Sequence, residues 1–290
     1  MNEVTVNEVG PRDGLQNISS ILNVNQRLEL INSLKKSGIS SIEIGSFVSS
    51  NAVPAMQDTN LLLERLNLSE CDYSVLIPNQ KGYEIAKTNK ATTVCLVLCL
   101  TESFNKKNIN KSIHDTFLEF QEIIKQSKQD EIKTKIYLSG AFECPYEGKV
   151  SQDIVIEFTE KFILAGVDEI VIADTIGAAN PSEVSSLFKS IFSKFDNDKF
   201  SAHFHDTKAL GMANVYASLE EGVRKFDSSI GGLGGCPFAP GASGNLATED
   251  LVSLLHDMNF ETGIDLKNLK GSRDLASKLT GISLQGRVPI

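Results

Sequence analysis

The chain has 290 residues, a formal net charge of −9 and a pI near 5.1, an acidic balance that argues against nucleic acid as a partner. No stretch reaches the roughly 20 apolar residues of a membrane span, and the first strand-like run begins almost at Met1, so we expect no membrane anchor, no targeting peptide and a cytoplasmic location. The five cysteines are sparse and lack a CxxC pair, which excludes a disulfide framework and a cysteine-rich zinc site.

Eight short β-rich runs alternate with longer amphipathic stretches along the chain. In chain order the runs are VTVNEV, SSIEIGSF, DYSVLI, TTVCLVL, TKIYLSG, DEIVIAD, FSAHFH and KFDSSIG. A helix-like stretch leads through a glycine into a strand at Gly38, Gly166 and Gly222, so one unit repeats along the chain. The pattern predicts an α/β protein with a closed (β/α)8 TIM barrel, forming one domain over residues 1–290 with a C-terminal capping segment from about residue 268.

Two of the predicted helices have clear starts. Asn180 as cap, Pro181 at the first position and Glu183 form a capping-box pattern, and Ser151 begins a helix that Gly166 ends. A doubly wound dinucleotide-binding fold is the competing architecture. It is disfavoured because no GxGxxG follows the first strand and the glycine-rich run comes only after the last one.

Polar residues are dense at the predicted C-terminal ends of the strands, where the catalytic loops of a (β/α)8 barrel lie. The candidates are Arg12 and Asp13 after the first strand, Glu43 in the second, Asp174 ending the sixth, His203 and His205 in the seventh, and Cys236 and Asn245 after the eighth.

The two histidines are the strongest indication of a metal site. Side chains alternate along a strand, so His203 and His205 point to the same face. With Asp13 and the side-chain carbonyl of Asn245 they offer nitrogen and oxygen ligands without thiolate, which favours Mg2+ or Mn2+. The alternative is that the histidines form a hydrogen-bonded structural pair.

Three further residues have two interpretations each. Arg12 is suited to stabilise a developing enolate, or forms an ion pair with Glu43, and both could hold together. Asp174 could orient a metal-ligand histidine or move a proton. Cys236 lies in a glycine-rich loop, where its thiol could act as an acid or base, or could be inert.

The segments GPRDGLQN, HFHDT, CPYEG and above all GLGGCPFAPGASGNLATEDL resemble signature segments of the 3-hydroxy-3-methylglutaryl-CoA (HMG-CoA) lyase family, within the wider group of metal-dependent barrel lyases and Claisen condensing enzymes. The resemblance covers nearly the whole chain. It implies that Asp13, His203, His205 and Asn245 bind the metal, that Arg12 stabilises the enolate and that Cys236 transfers a proton. Glu43, Asp174 and Glu249 match further acidic residues of the family's site. The implied substrate-binding residues are Arg12, Glu43, Tyr146, Lys106, Lys107 and Glu249. Lys106 and Lys107 would hold CoA, and the alternative is that they are two solvated loop lysines.

The implied reaction is retro-Claisen cleavage of HMG-CoA to acetoacetate and acetyl-CoA in leucine breakdown, by a homodimer that needs no redox cofactor. The alternatives are a lyase for a related 3-hydroxyacyl-CoA, a Claisen condensing synthase, and a catalytically silent metal-binding scaffold. The family usually reads SPKWVPQM after the second strand, whereas this chain has Ser50, Asn51 and Ala52 before VPAM. Such loop changes bear on acyl-group preference and CoA affinity rather than on reaction type.

Overall fold

The computed structural model describes residues 2–234 and 244–288, and in them eight parallel strands close into a barrel. The strands are β1 (Thr5–Glu8), β2 (Ser41–Ser46), β3 (Asp72–Leu76), β4 (Thr93–Cys99), β5 (Lys133–Ser139), β6 (Glu169–Asp174), β7 (Phe200–Phe204) and β8 (Lys225–Ser228). They follow one another around the barrel in chain order, and β8 pairs back onto β1 from Thr5↔Lys225 to Glu8↔Ser228. Each of the eight predicted runs holds one strand, so the predicted barrel is confirmed.

Ten α-helices lie in the described part of the chain. They are α1 (Val24–Lys36), α2 (Thr59–Arg65), α3 (Gln80–Thr88), α4 (Glu102–Ile109), α5 (Ile113–Gln129), α6 (Gln152–Ala165), α7 (Pro181–Phe192), α8 (Gly211–Glu221), α9 (Thr248–Asp257) and α10 (Leu266–Thr280). A hairpin of two short strands, Glu143–Cys144 and Gly148–Lys149, follows β5. None of the described helices is long and apolar enough to cross a membrane.

The local signals in the sequence fix the helix ends. The Asn180 side chain accepts from the backbone of Ser182 and Glu183, and the Glu183 side chain completes the predicted capping box. Three helices that lead into strands end at glycines in the left-handed region, with φ of +97° at Gly38, +88° at Gly166 and +109° at Gly222. A side chain would be strained at that φ, which explains why this residue recurs where a helix turns into a strand.

The alternation within β2 shows how the barrel separates core from site. Ile42 and Ile44 point outward into the apolar layer under the helices, and each fully buried side chain of this type stabilises the fold by about 1.5–3 kcal/mol. Glu43 between them points into the barrel, where Arg12 meets it. The same strand therefore supplies packing on one face and a site residue on the other.

The C-terminal segment closes the ring of helices. Helix α10 packs against α1, and the Ser33 and Ser272 hydroxyls lie 2.8 Å apart between them. The helix begins at Leu266, close to residue 268, where we predicted the capping segment to start. In the loop between α9 and α10, the carbonyl of Glu261 accepts a hydrogen bond from the backbone N–H of Val4, just before β1, at 2.9 Å.

Glu8 joins three parts of the chain at the end of β1. Its fully buried carboxylate accepts hydrogen bonds from the backbone N–H of Gly10 at 2.8 Å and of Ile230 at 2.9 Å, and from the hydroxyl of Thr248 at 2.6 Å. Burial raises the pKa of Glu8 to about 7, against the opposing effect of these three donors. The carboxyl group therefore titrates near neutral pH.

This titration predicts a pH dependence of stability. Because burial raises the folded-state pKa of Glu8 from 4.5 to about 7, its stabilising contribution is fully present below pH 4.5 and is lost as the pH rises through about 7. Glu8→Gln cannot titrate, so relative to this variant we expect the wild-type chain to lose about 3 kcal/mol of unfolding free energy over that range. Urea unfolding of both proteins at a series of pH values measures the difference, and parallel pH curves would contradict the prediction.

Candidate active site

A single turn after β1 brings two charged residues over the barrel. The backbone N–H groups of Asp13 and Gly14 both donate to the carbonyl of Val9, at 2.7 and 3.2 Å, which coils residues 10–14 into one wide helical turn. Arg12 and Asp13 lie on this turn, at the C-terminal end of the barrel. That is the face on which (β/α)8 enzymes carry their catalytic groups.

Arg12 lies between two carboxylates. Its Nε donates to Oε2 of Glu43 at 2.8 Å, and one terminal nitrogen donates to Oδ1 of Asp13 at 2.6 Å. Burial alone would lower the pKa of Arg12, but the charges of Glu43 and Asp13 raise it above its ordinary value, so the guanidinium stays charged. The predicted ion pair with Glu43 is present, and it holds the guanidinium at the barrel mouth.

Asp13, His203 and His205 form a compact cluster of metal-ligand type. One ligand atom of each lies within 4.8 Å of the others, and the two imidazole centroids are 5.1 Å apart. Both histidines are buried, at 6% and 7% exposure. The strand alternation that predicted a shared face for them is therefore confirmed by their positions.

Asn245 completes the cluster through its amide. Its Nδ2 donates to Oδ2 of Asp13 at 2.7 Å and to the carbonyl of Leu233 at 3.3 Å, whereas its Oδ1 is buried without a hydrogen-bond partner in the described part of the chain. Nδ1 of His205 is likewise buried and unpaired there. A buried acceptor without a donor is costly, and a divalent cation among these oxygen and nitrogen atoms would satisfy it. The residues fit such an ion.

The protonation states of the cluster suit metal binding. Burial alone would raise the pKa of Asp13, but Arg12, His203 and His205 lower it to about 2. Burial lowers the pKa of His205 to about 3, and the nearby His203 acts in the same direction. At neutral pH the cluster therefore presents an anionic carboxylate and a neutral imidazole, which are the forms that bind metals.

Asp227 is a site residue that the sequence reasoning missed. Its Oδ2 lies 3.0 Å from Nδ1 of His203, in the position from which a carboxylate orients a metal-ligand imidazole. Burial alone would lower the pKa of His203, but the hydrogen bond and charge of Asp227 raise it. The available signal was an acidic residue inside the predicted strand run KFDSSIG, because a carboxylate on a buried strand requires a partner.

The carboxylate of Asp174 binds a neighbouring loop rather than a metal-ligand histidine. Its two oxygens accept from the backbone N–H groups of Ala178 at 2.9 Å and Ala179 at 3.1 Å, so the orienting role that we considered for Asp174 falls to Asp227. Burial raises the pKa of Asp174 to about 6, against the effect of these two hydrogen bonds. The proton-transfer role of Asp174 stays a prediction.

Glu249 has structural partners. Oε2 accepts from the backbone N–H of Gly231 at 2.9 Å, Oε1 accepts from that of Gly286 at 3.2 Å, and Arg273 lies 3.5 Å away. Its side chain is fully buried, and none of these partners in the described part of the chain belongs to the metal-ligand cluster. These contacts tie the start of α9 to two loops. The substrate-binding role of Glu249 stays a prediction.

The residues predicted to bind CoA lie at the rim, beyond the C-terminal end of β4. Lys106 and Lys107 are exposed in the last turn of α4, and Nζ of Lys107 lies 3.6 Å above the ring of Tyr146. The Tyr146 ring also meets Phe104 edge-on, at 5.9 Å between centroids. Cys236 lies outside the described residues.

Fold and site together define a (β/α)8-barrel enzyme with a buried, metal-compatible cluster at its catalytic face. The sequence matches the model of the HMGL-like family over residues 3–275, and the chain belongs to this family.

Named acyl-CoA lyases are among the relatives of the chain. Hydroxymethylglutaryl-CoA lyase YngG of Bacillus subtilis is 37% identical over 286 residues, covering 98% of this chain and 96% of the relative. A solved HMG-CoA lyase structure from Acinetobacter baumannii, in complex with coenzyme A and 3-methylmalate, has a TM-score of 0.93 at 37% identity, covering 99% of this chain and 94% of that one. (R)-citramalyl-CoA lyase of Chloroflexus aurantiacus is 38% identical, covering 99% and 94%.

Proposed function

We propose that this chain is a divalent-metal-dependent carbon–carbon lyase that cleaves HMG-CoA to acetoacetate and acetyl-CoA. The observation that carries the proposal is the meeting of Arg12 with Asp13, His203, His205 and Asn245 at the catalytic face of an HMGL-like barrel. A charged guanidinium beside oxygen and nitrogen ligands is what cleavage to an enolate requires.

The metal ligands are Asp13, His203, His205 and Oδ1 of Asn245, and their hard and borderline donors suit Mg2+ or Mn2+. When bound, the ion supplies Lewis acidity towards the hydroxyl and carbonyl oxygens of the substrate.

Arg12 supplies the positive charge for the other half of the reaction. Glu43 and Asp13 hold the guanidinium rigidly, so its charge stabilises the enolate oxygen of the departing acetyl-CoA without reorganisation. Asp174, whose pKa burial raises to about 6, is suited to accept the proton of the C3 hydroxyl at neutral pH. Cys236 is the proposed donor of the proton that converts the enolate to acetyl-CoA.

The CoA moiety is assigned to the rim. Lys106 and Lys107 put two positive charges near Tyr146 on an otherwise acidic chain, and phosphates need such charges. The complex of a solved relative with coenzyme A supports this ligand class. A homodimeric state, a cytoplasmic location and a role in leucine breakdown stay predictions from the sequence.

The test is direct measurement of product formation. Purified chain with HMG-CoA and Mg2+ or Mn2+ should release acetoacetate and acetyl-CoA in equal amounts. A chelator should stop turnover, and excess metal should restore it. Turnover that survives chelation would contradict the metal dependence, and a folded, metal-binding chain without turnover would contradict the substrate.

(R)-citramalyl-CoA is the second candidate substrate. The relative from Chloroflexus aurantiacus is the observation that favours it. The altered segment at Ser50, Asn51 and Ala52 after β2 bears on acyl-group preference, because loops over the barrel mouth set specificity. Both esters are assayed in parallel, and a higher kcat/KM for (R)-citramalyl-CoA would move the assignment to it. A silent scaffold is disfavoured, because the described metal-ligand candidates and Arg12 are all present. A condensing synthase is disfavoured by the cysteine-bearing segment around Cys236, which resembles the lyase branch of the group.

A further inference from the structure

Four polar residues on adjacent strands form a continuous hydrogen-bonded row inside the barrel. In the strand register, Asn7 of β1 lies beside Ser41 of β2 on one side and Asp227 of β8 on the other. Asp227 in turn lies beside His203 of β7. The Ser41 hydroxyl donates to Oδ1 of Asn7, Nδ2 of Asn7 donates to Oδ1 of Asp227, each at 2.8 Å, and Oδ2 of Asp227 meets Nδ1 of His203 at 3.0 Å. We call Ser41, Asn7, Asp227 and His203 the Asp227 row.

The row has a direction. Because the Ser41 hydroxyl donates to the Asn7 carbonyl oxygen, the Asn7 amide nitrogen faces Asp227 and can only donate. The Tyr137 hydroxyl, from across the barrel, donates to Oδ2 of Asp227 at 2.9 Å. A carboxylate that accepts on both oxygens leaves Nδ1 of His203 to supply the remaining proton. Nε2 of His203 is then the nitrogen that carries the free lone pair.

The Asp227 row also keeps the Asp227 carboxylate directed towards His203. Asp227 borders a polar cavity of about 200 Å3 at the opposite, N-terminal end of the barrel, which is also lined by Lys135 and Glu169. The positive charge of Lys135 attracts the carboxylate from that side. The bonds from Asn7 and Tyr137 hold it on His203 instead.

We infer that Asp227, held by Asn7 and Tyr137, is a positioning residue that fixes the Nδ1-protonated tautomer of His203 and so makes Nε2 its metal-ligating atom. The inference rests on the proposed metal site. Outer partners of this kind are worth about 10-fold to 100-fold in metal affinity.

Asp227→Asn tests this because the change is isosteric and its effect on the tautomer has a known sign. Nδ2 of Asn7 requires an oxygen at the position of Oδ1, so the new amide nitrogen lies where Oδ2 was and donates to Nδ1 of His203. The proton of His203 then moves to Nε2, which blocks the ligating lone pair. An Asp-to-Asn change beside a catalytic histidine can trap the wrong tautomer in this way.

The experiment compares four proteins at a pH high enough for the 15N spectrum to show a single ring proton on His203, because Asp227 raises the pKa of this imidazole. They are wild type, Asp227→Asn, Tyr137→Phe and the matched control Glu169→Gln, which makes the same chemical change in the same cavity without touching His203. Calorimetric titration gives the Kd for Mn2+. The 15N spectrum of the metal-free proteins identifies which nitrogen of His203 carries the proton.

We expect Asp227→Asn to raise the Kd for Mn2+ about 10-fold to 100-fold and to move the His203 proton to Nε2. Tyr137→Phe should raise the Kd by a smaller factor. Glu169→Gln should change neither the Kd nor the position of the proton. An unchanged Kd in Asp227→Asn, an equal loss in Glu169→Gln, or a wild-type proton on Nε2 would overturn the inference. If Asp227→Asn does not fold, an unchanged Kd in Tyr137→Phe would overturn it. The two proposals can fail separately. If Mn2+ affinity depends on Asp227 but the protein does not cleave HMG-CoA, the proposed function is contradicted and this inference is supported.

Discussion

Replacement of Arg12 with Gln is expected to lower kcat for HMG-CoA cleavage about 1,000-fold without weakening Mn2+ binding. Loss of one pre-oriented donor to a developing oxyanion costs about 100-fold to 1,000-fold, and here a full positive charge is lost as well. Arg12 binds Asp13 but does not itself offer a metal ligand, so the ligand set stays intact. Steady-state kinetics and calorimetric titration with Mn2+ measure the two effects separately.

The same change should also destabilise the fold, and this effect must be separated from catalysis. Glu43 has no exposed surface, and without Arg12 its charge would be buried and unpaired, which costs about 3–5 kcal/mol. In the double variant Arg12→Gln/Glu43→Gln both charges are gone. It should recover stability in urea unfolding but not kcat. Recovery of kcat together with stability would mean that Arg12 acts only through folding.

Replacement of His205 with Ala should raise the Kd for Mn2+ by at least about 100-fold and abolish measurable turnover. The loss should exceed that for an outer-shell partner, whose removal costs up to about 100-fold, because the imidazole itself is a ligand. His205 is neutral and buried, with Nδ1 unpaired in the described chain, so no structural hydrogen bond of that atom is lost.

His256→Ala is the matched control for this variant. His256 lies on α9, where its Nε2 meets the hydroxyl of Thr262 at 2.9 Å, away from the cluster. This variant should keep wild-type Mn2+ affinity and kcat. Stoichiometric, tight Mn2+ binding in His205→Ala would remove His205 from the ligand set.

The sequence was sufficient for the barrel because its signals are local. Apolar runs of strand length, the capping box at Asn180 and the glycines after the helices each depend on a few neighbouring residues. The polar strand ends could be grouped for the same reason, since a barrel brings all of its strand ends to one face. Arg12, Asp13 and the two histidines were found in this way.

The remaining part of the site depends on register and side-chain direction, which no local pattern encodes. Asp227 meets His203 only because β8 pairs with β7 in one register, and a shift by one residue would turn it out of the barrel. Asp174 and Glu249 are acidic residues near the strand ends, as predicted, yet backbone N–H groups of neighbouring loops bind their oxygens. Those loop positions are products of the folded state.

The closure of β8 on β1 has a consequence for the order in which the protein is made. Asp13 and Asn245, which share a hydrogen bond, are 232 positions apart in the chain. Contacts of such long range form slowly, because ordering the intervening chain must precede them. During synthesis, the ribosome has released most of the barrel before the residues of the cluster can meet. We therefore expect the metal-ligand cluster to form late in folding, and a chain whose synthesis has not reached Asn245 lacks one of the proposed ligands.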